Sequence, residues 1–187
     1  TVTPGPQTGW PEPTPTPSVS TSDYKKYTDD DNRFTIEYPD DWVVAEGHPK
    51  GEEVVFFSSD VSVNFQVFWN EDDMLNNYSD SIVLRGTELA HEERCDNVTF
   101  AADNRKCSDF KVVDSYTMKT NDDRKVYFVQ YTYKLALISG QEHSMNTKIG
   151  YIFDGDNSWL MQVESFEGVF DYNSDKIIHM MKSFSLK

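Results

Sequence analysis

Basic residues are scarce in this 187-residue chain, where 17 Lys and Arg stand against 32 Asp and Glu for a formal net charge of −15. A nucleic-acid duplex or an anionic membrane surface repels such a molecule, because binding to either needs a basic footprint. No run of about 18 apolar residues occurs, so no helical membrane span is expected. Cysteine is limited to Cys95 and Cys107, too few for a disulfide scaffold, and neither has a second Cys or His at zinc-ligand spacing. Histidine is equally sparse. His48, His91, His143 and His179 stand apart, and His91-Glu-Glu-Arg-Cys95 only superficially resembles the H-E-x-x-H metal motif. There is no G-x-S-x-G nucleophile elbow, and no serine has a recognisable partner base. The sequence therefore points to no catalytic residue, no metal site and no cofactor.

What is present begins with a composition boundary. Residues 1–22 hold six of the eight prolines, six threonines and one charge, Glu12. Such a segment lacks the apolar side chains that would offset its ordering entropy, so it reads as an extended linker or stalk before a single domain at 23–187. A start at Thr1 inside this spacer suggests an export signal upstream, with a lipid-bearing Cys as one form of anchor. An alternative is an arm that docks on a neighbouring copy by adding a strand to an open sheet edge, with Trp10 as its anchor. That reading makes the chain a homo-oligomer.

Hydrophobic periodicity in 23–187 is mostly that of strands. Phe34, Ile36 and Tyr38 alternate with Thr35 and Glu37 until Pro39 ends the run. Val61, Val63, Phe65, Val67 and Trp69 share one face of a second strand, paired in a hairpin with 53–58. Strands follow at 98–100, 106–113, 125–138, 143–153 and 158–165, separated by turns rich in Asn, Asp and Gly. Tyr127, Val129, Tyr131, Tyr133, Leu135 and Leu137 lie on one face of the long strand, and that face must be covered. Two segments have helical spacing. Asn70 is placed to cap the first, with Glu71, Asp72 and Asp73 in its first turn and Leu75, Tyr78, Ile82, Gly86 and Leu89 as its buried stripe; Gly86 would permit close packing. The second runs from about Asp171 to Met181 with Ile177, Ile178 and Met181 inward. Two helices laid on a meandering antiparallel sheet make an α+β sandwich.

Phe34-Thr-Ile-Glu-Tyr-Pro-Asp-Asp-Trp42 resembles the opening strand of PsbP-like domains, the Mog1/PsbP-type α/β/α sandwich, in which a pattern like F-x-I-x-Y-P-x-x-W begins the domain. Element order supports the resemblance over about residues 28–187: a strand to Trp69 running into a helix, a hairpin between 98 and 112, and a last helix ending in Ser183-Phe184. It implies a non-enzymatic domain that binds or stabilises a protein partner, as oxygen-evolving-complex proteins and a Ran-binding relative do. Exported prokaryotic relatives include anchored lipoproteins, so the expected location is extracytoplasmic and the expected partner a protein or envelope component. A secreted hydrolase is the remaining alternative.

Two kinds of covalent chemistry fit that location. Cys95 and Cys107 enclose eleven residues and would pair in an oxidising compartment. A two-residue turn at Asp103-Asn104 would set Cys107 opposite Phe100 and Cys95 opposite Val112, so a bridge requires Cys95 to lie in a loop that folds back; two buried thiols are the alternative. Asn77-Tyr-Ser79 and Asn97-Val-Thr99 are N-glycosylation sequons. Asp29-Asp-Asp31, Asp72-Asp73, Asp122-Asp123 and Asp154-Gly-Asp-Asn157 offer oxygen ligands for Ca²⁺, but none completes an EF-hand loop, and each is more simply a turn or a cap.

Overall fold

The computed structural model describes residues 23–46, 53–71, 77–97, 106–136, 140–155 and 157–187. The 1–22 tail with Trp10, together with His48, Asp72, Asp73, Leu75, Leu137, Asp156, the expected strand at 98–100 and the expected turn at Asp103-Asn104, lies outside them.

The chain builds β1 (Tyr24–Thr28), β2 (Phe34–Pro39), β3 (Val43–Glu46), β4 (Glu53–Phe57) and β5 (Asn64–Asn70). After these come α1 (Asp80–Asn97), β6 (Lys106–Lys119), β7 (Lys125–Ala136), β8 (Glu142–Asp154), β9 (Asn157–Phe166), α2 (Glu167–Ser183) and β10 (Ser185–Leu186). A small sheet has the order β1-β2-β10, and a large sheet the order β3-β4-β5-β9-β8-β7-β6. The pairings in both are antiparallel. This is the expected α+β architecture, with the short strand β2 placed in a sheet of its own rather than in the main meander.

Turn chemistry makes the first hairpin. Asn32 adopts a left-handed φ of 56°, and its N–H donates to the Asp29 carbonyl at 2.7 Å, a conformation Asn tolerates well. Beyond the turn, Phe34 and Ile36 point from β2 toward α2 and the large sheet. They join Phe56, Phe65, Met161, Ile177 and Met180 in the main core. Phe34 stacks on Phe184 at 5.0 Å and meets Trp159 edge-on at 4.9 Å. Burial of each such ring contributes roughly 1.5–3 kcal/mol. The pattern of the opening strand is thus a core pattern, and Trp42 is buried with it.

On the opposite face of the large sheet lies a second cluster, built from Val129, Tyr131, Tyr133, Leu135, Met145, Ile149 and Cys95. The aromatic face of β7 is covered as its spacing required, by α1, which packs chiefly on β6 and β7. The helix differs from expectation in both position and facing. Asn70 ends β5, and the described helix begins at Asp80. Its inward residues are Val83, Thr87 and Cys95, whereas Tyr78, Ile82 and Leu89 are 51%, 54% and 47% exposed. Gly86 also faces open space, with nothing within 4 Å of where a Cβ would sit. Thr87 can face inward because its hydroxyl donates to the Val83 carbonyl at 2.9 Å, which removes the cost of burying it. Val61 likewise leaves the expected stripe: it is 70% exposed, in a turn with φ of 59°, and β5 begins only at Asn64.

Candidate functional site

Side-chain contacts at three levels hold α1 to the sheet. At its start, Asp80 accepts hydrogen bonds from Lys125 and from the Tyr127 hydroxyl, each at 2.9 Å. Farther along, the Tyr131 hydroxyl and His91 Nδ1 are 3.2 Å apart and their rings stack at 5.2 Å. In the last turn a disulfide joins Cys95 to Cys107 on β6, with their Cα atoms 5.0 Å apart. The bridge that seemed to require a folded-back loop is made by the helix instead, which carries Cys95 above the start of β6.

Between the C-terminal half of α1 and the sheet these contacts leave a cavity of about 140 Å³. Its apolar wall is the Cys95–Cys107 bridge with Phe110 and Leu135. Its polar wall holds Tyr131, Tyr133, Gln162 and Glu164, with His91 and Arg94 contributed by the helix. Strand register explains the grouping. Tyr131 pairs with Thr147, Thr147 with Glu164, and Glu164 with Asn64, so these four side chains cross the sheet in one row on the α1 face. A second cleft of about 310 Å³ continues along that row over Asn64 and Gln66 to Phe166, and it shares Gln162 and Glu164 with the first. Gln66, Gln162 and Glu164 are half-buried.

Electrostatics in the cavity follow from burial. Desolvation, helped by the nearby Arg94, depresses the His91 imidazole to about 4, so it is neutral at pH 7. Desolvation raises Tyr131 and Tyr133, and the Glu164 carboxylate adds to both shifts. The His91–Tyr131 pair therefore keeps one protonation state around neutrality. General acid–base work calls for groups that titrate near the operating pH, whereas fixed neutral donors and acceptors suit recognition.

Other residues of interest do not converge here. The His143 ring is tilted against Phe166 at 5.1 Å, and His179 Nε2 lies 2.9 Å from Glu37 Oε2 on the opposite side of the molecule. Asp29 binds Arg33, Asp122 accepts from Thr120 and Ser185, and Asp123 pairs with Lys119, so each serves its own turn. Among the described residues no three His, Cys, Asp or Glu side chains gather as metal ligands. No helix among them is long and apolar enough to cross a membrane. Asn77 is exposed just before α1; Asn97 closes the helix, and the rest of its sequon lies outside the described residues. Sequence reasoning missed the cavity-lining set. Its one available signal was the alternation of polar Gln162 and Glu164 with buried Met161 and Val163 in β9, the mark of a sheet face that no helix fully covers.

An antiparallel sheet with one helix on each face and a small sheet closing one side is the sandwich of a known class. It is similar to cyanobacterial PsbP (CyanoP) from Synechocystis sp. PCC 6803, with 14% identity, 90% of this chain and 95% of that one covered, and a TM-score of 0.57. It is also similar to the Saccharomyces cerevisiae Ran-binding protein Mog1p, with 10% identity, 87% and 95% covered, and a TM-score of 0.55. LpqN of Mycobacterium tuberculosis, involved in cell envelope biogenesis, shares 11% identity over 92% and 99% of the chains with a TM-score of 0.50. No curated protein matches the chain in sequence. The PsbP family model matches residues 22–186, and the chain belongs to the PsbP family.

Proposed function

We propose that this protein is a non-enzymatic binding domain, held outside the cytoplasm on the 1–22 stalk, and that it acts through protein contacts made by the uncovered face of its large sheet. The observation that carries this reading is the uneven covering of that sheet. One face is closed by α2 and the small sheet, while α1 shields chiefly β6 and β7 of the other, leaving the paired clefts over β5, β8 and β9. Concave surfaces with an apolar end and a few convergent polar groups are where ligands and partners bind. The Cys95–Cys107 bridge supports an oxidising location, and the neutral His91–Tyr131 pair supports recognition over proton transfer. Mog1p, described as Ran-binding, is a precedent for protein binding on this fold, and LpqN for a role in the cell envelope.

Proximity labelling on intact cells tests the reading. A specific protein neighbour should be recovered with the wild-type chain and lost with Gln66→Lys, which places a positive charge in the cleft without touching the core. Recovery of no specific neighbour, or of one indifferent to the substitution, overturns it.

A further inference from the structure

The geometry points to an extended peptide segment as the occupant of the two clefts, with an aromatic side chain in the cavity beside the disulfide and an adjacent Lys or Arg on Glu164. This rests on the reading of the open sheet face as a protein-contact surface and specifies what the partner presents there.

Size selects the anchor. A cavity of about 140 Å³ is close to the engineered apolar cavity of roughly 150 Å³ that accepts benzene, so it has room for one ring. The wall suits a ring as well. Phe110 and Tyr131 lie 4.9 Å apart with their planes tilted by 33°, and the disulfide sulfurs and Leu135 complete a surface on which an aromatic edge or face can pack.

Continuity selects a chain over an isolated ring. Gln162 and Glu164 belong to both clefts, so a ligand anchored in the first must pass over them to enter the second. There Asn64, Gln66 and Gln162 present amide groups able to pair with a peptide backbone. Glu164 stands at the junction, one step from the ring site. No ion pair to it forms among the described residues, and its carboxylate therefore favours a cationic side chain over a neutral or acidic one. The chain's net charge of −15 adds long-range attraction for a basic segment.

The test uses the full ¹⁵N-labelled chain and an N-acetylated, C-amidated peptide with Phe-Lys in a Ser/Gly frame. Binding should shift the backbone amides of Tyr133, Gln162 and Glu164, and replacing the peptide's Phe by Ala or its Lys by Glu should weaken it about tenfold. The Tyr133 hydroxyl donates a hydrogen bond to Glu164; Glu164→Gln keeps an acceptor for it and should erase the preference for Lys while the ring contact survives. Absence of shifts at these residues up to millimolar peptide overturns the inference. So does a Lys preference that persists in Glu164→Gln, or binding of N-acetylphenylalaninamide as tight as that of the peptide, which would make the cavity a small-molecule site. A protein neighbour captured on cells without peptide binding refutes this inference and leaves the binding-domain reading standing. Peptide binding without a captured neighbour does the reverse.

Discussion

The Tyr131 hydroxyl meets His91 Nδ1 at 3.2 Å, and that hydrogen bond ties the helix over the candidate site to the longest aromatic face of the sheet. Either tautomer of the imidazole can make it, with Nδ1 accepting from the hydroxyl or donating to it. The folded-state value of His91, about 4, lies below its ordinary 6.5 because of burial and then Arg94. Between those two values the unfolded chain binds the extra proton, so stability rises with pH across the window and falls as the solution is acidified through it. The full difference is roughly 3 to 3.5 kcal/mol. Urea denaturation of the wild type at pH 7 and at pH 4.5 should show most of that loss. His91→Gln, which cannot titrate, should flatten the profile between 4 and 6.5; an unchanged slope would mean that His91 is not the group responsible.

Reduction of the Cys95–Cys107 bridge should loosen the same helix end. The bridge closes a loop of sequence separation 12, for which chain entropy sets a stabilisation of about 3 kcal/mol. Cys95→Ser/Cys107→Ser should lower stability by that amount. Hydrogen exchange should then accelerate most in the last turns of α1, with the core around Phe34 and Phe184 hardly affected. Uniform acceleration would show that the bridge supports the whole domain and not the wall of the cavity.

Two glycines should respond in opposite directions to alanine. A Cβ on Gly150 would lie 3.0 Å from Val126 Cγ1 and 3.2 Å from Met161 Cε, beneath α2 where neighbours have little room to move. Gly150→Ala should therefore destabilise by about 1–3 kcal/mol. At Gly86 a Cβ meets nothing within 4 Å, and the residue sits in the interior of α1, so Gly86→Ala should stabilise by up to about 1 kcal/mol. Thermal denaturation of both variants decides the matter. A destabilised Gly86→Ala would indicate that this helix face is packed in solution.

These cases show where sequence patterning carried information and where it did not. The strands of the core were legible because apolar side chains recur at period 2 in β2, β5 and the second half of β7, so that Phe34, Phe65 and Tyr131 all lie where that period puts them. The facing of α1 was not. Its most apolar stripe, Ile82 and Leu89, points outward, while the inward face includes Thr87 and His91, polar side chains made acceptable by a bond to the Val83 carbonyl and to Tyr131. Hydrophobicity cannot reveal such internally satisfied groups before the partner is known. The cavity is harder still, since Tyr133 and Glu164 come together only through strand register across β7, β8 and β9, and Arg94 joins them only through the docking of α1.

Arg33 is where a short turn and the core are energetically joined. Its Nε donates to Asp29 Oδ2 at 2.8 Å and its Nη2 to Oδ1 at 3.0 Å, while the guanidinium carbon lies 5.3 Å from the Trp159 ring and 5.5 Å from Trp69. Asp29 is only 3% exposed. Burial alone would raise its carboxyl, yet the hydrogen bonds and charge of Arg33 outweigh that and hold it below the ordinary value. The pair therefore stabilises the fold above that ordinary value and is lost as pH falls through the lower, folded one. Arg33→Met keeps much of the stem packing but strands a buried carboxylate, an imbalance that costs about 3–5 kcal/mol. Arg33→Lys should cost less, since it restores charge but not the bidentate fork or the flat contact with two indoles. Adding Asp29→Asn to Arg33→Met should recover part of the loss, because an amide can be buried more cheaply than an ion while still accepting from the residue 33 backbone N–H. Denaturation midpoints of the three variants at pH 7 test the order. If the double substitution is no better than Arg33→Met alone, the aromatic contact rather than the ion pair holds this corner of the fold.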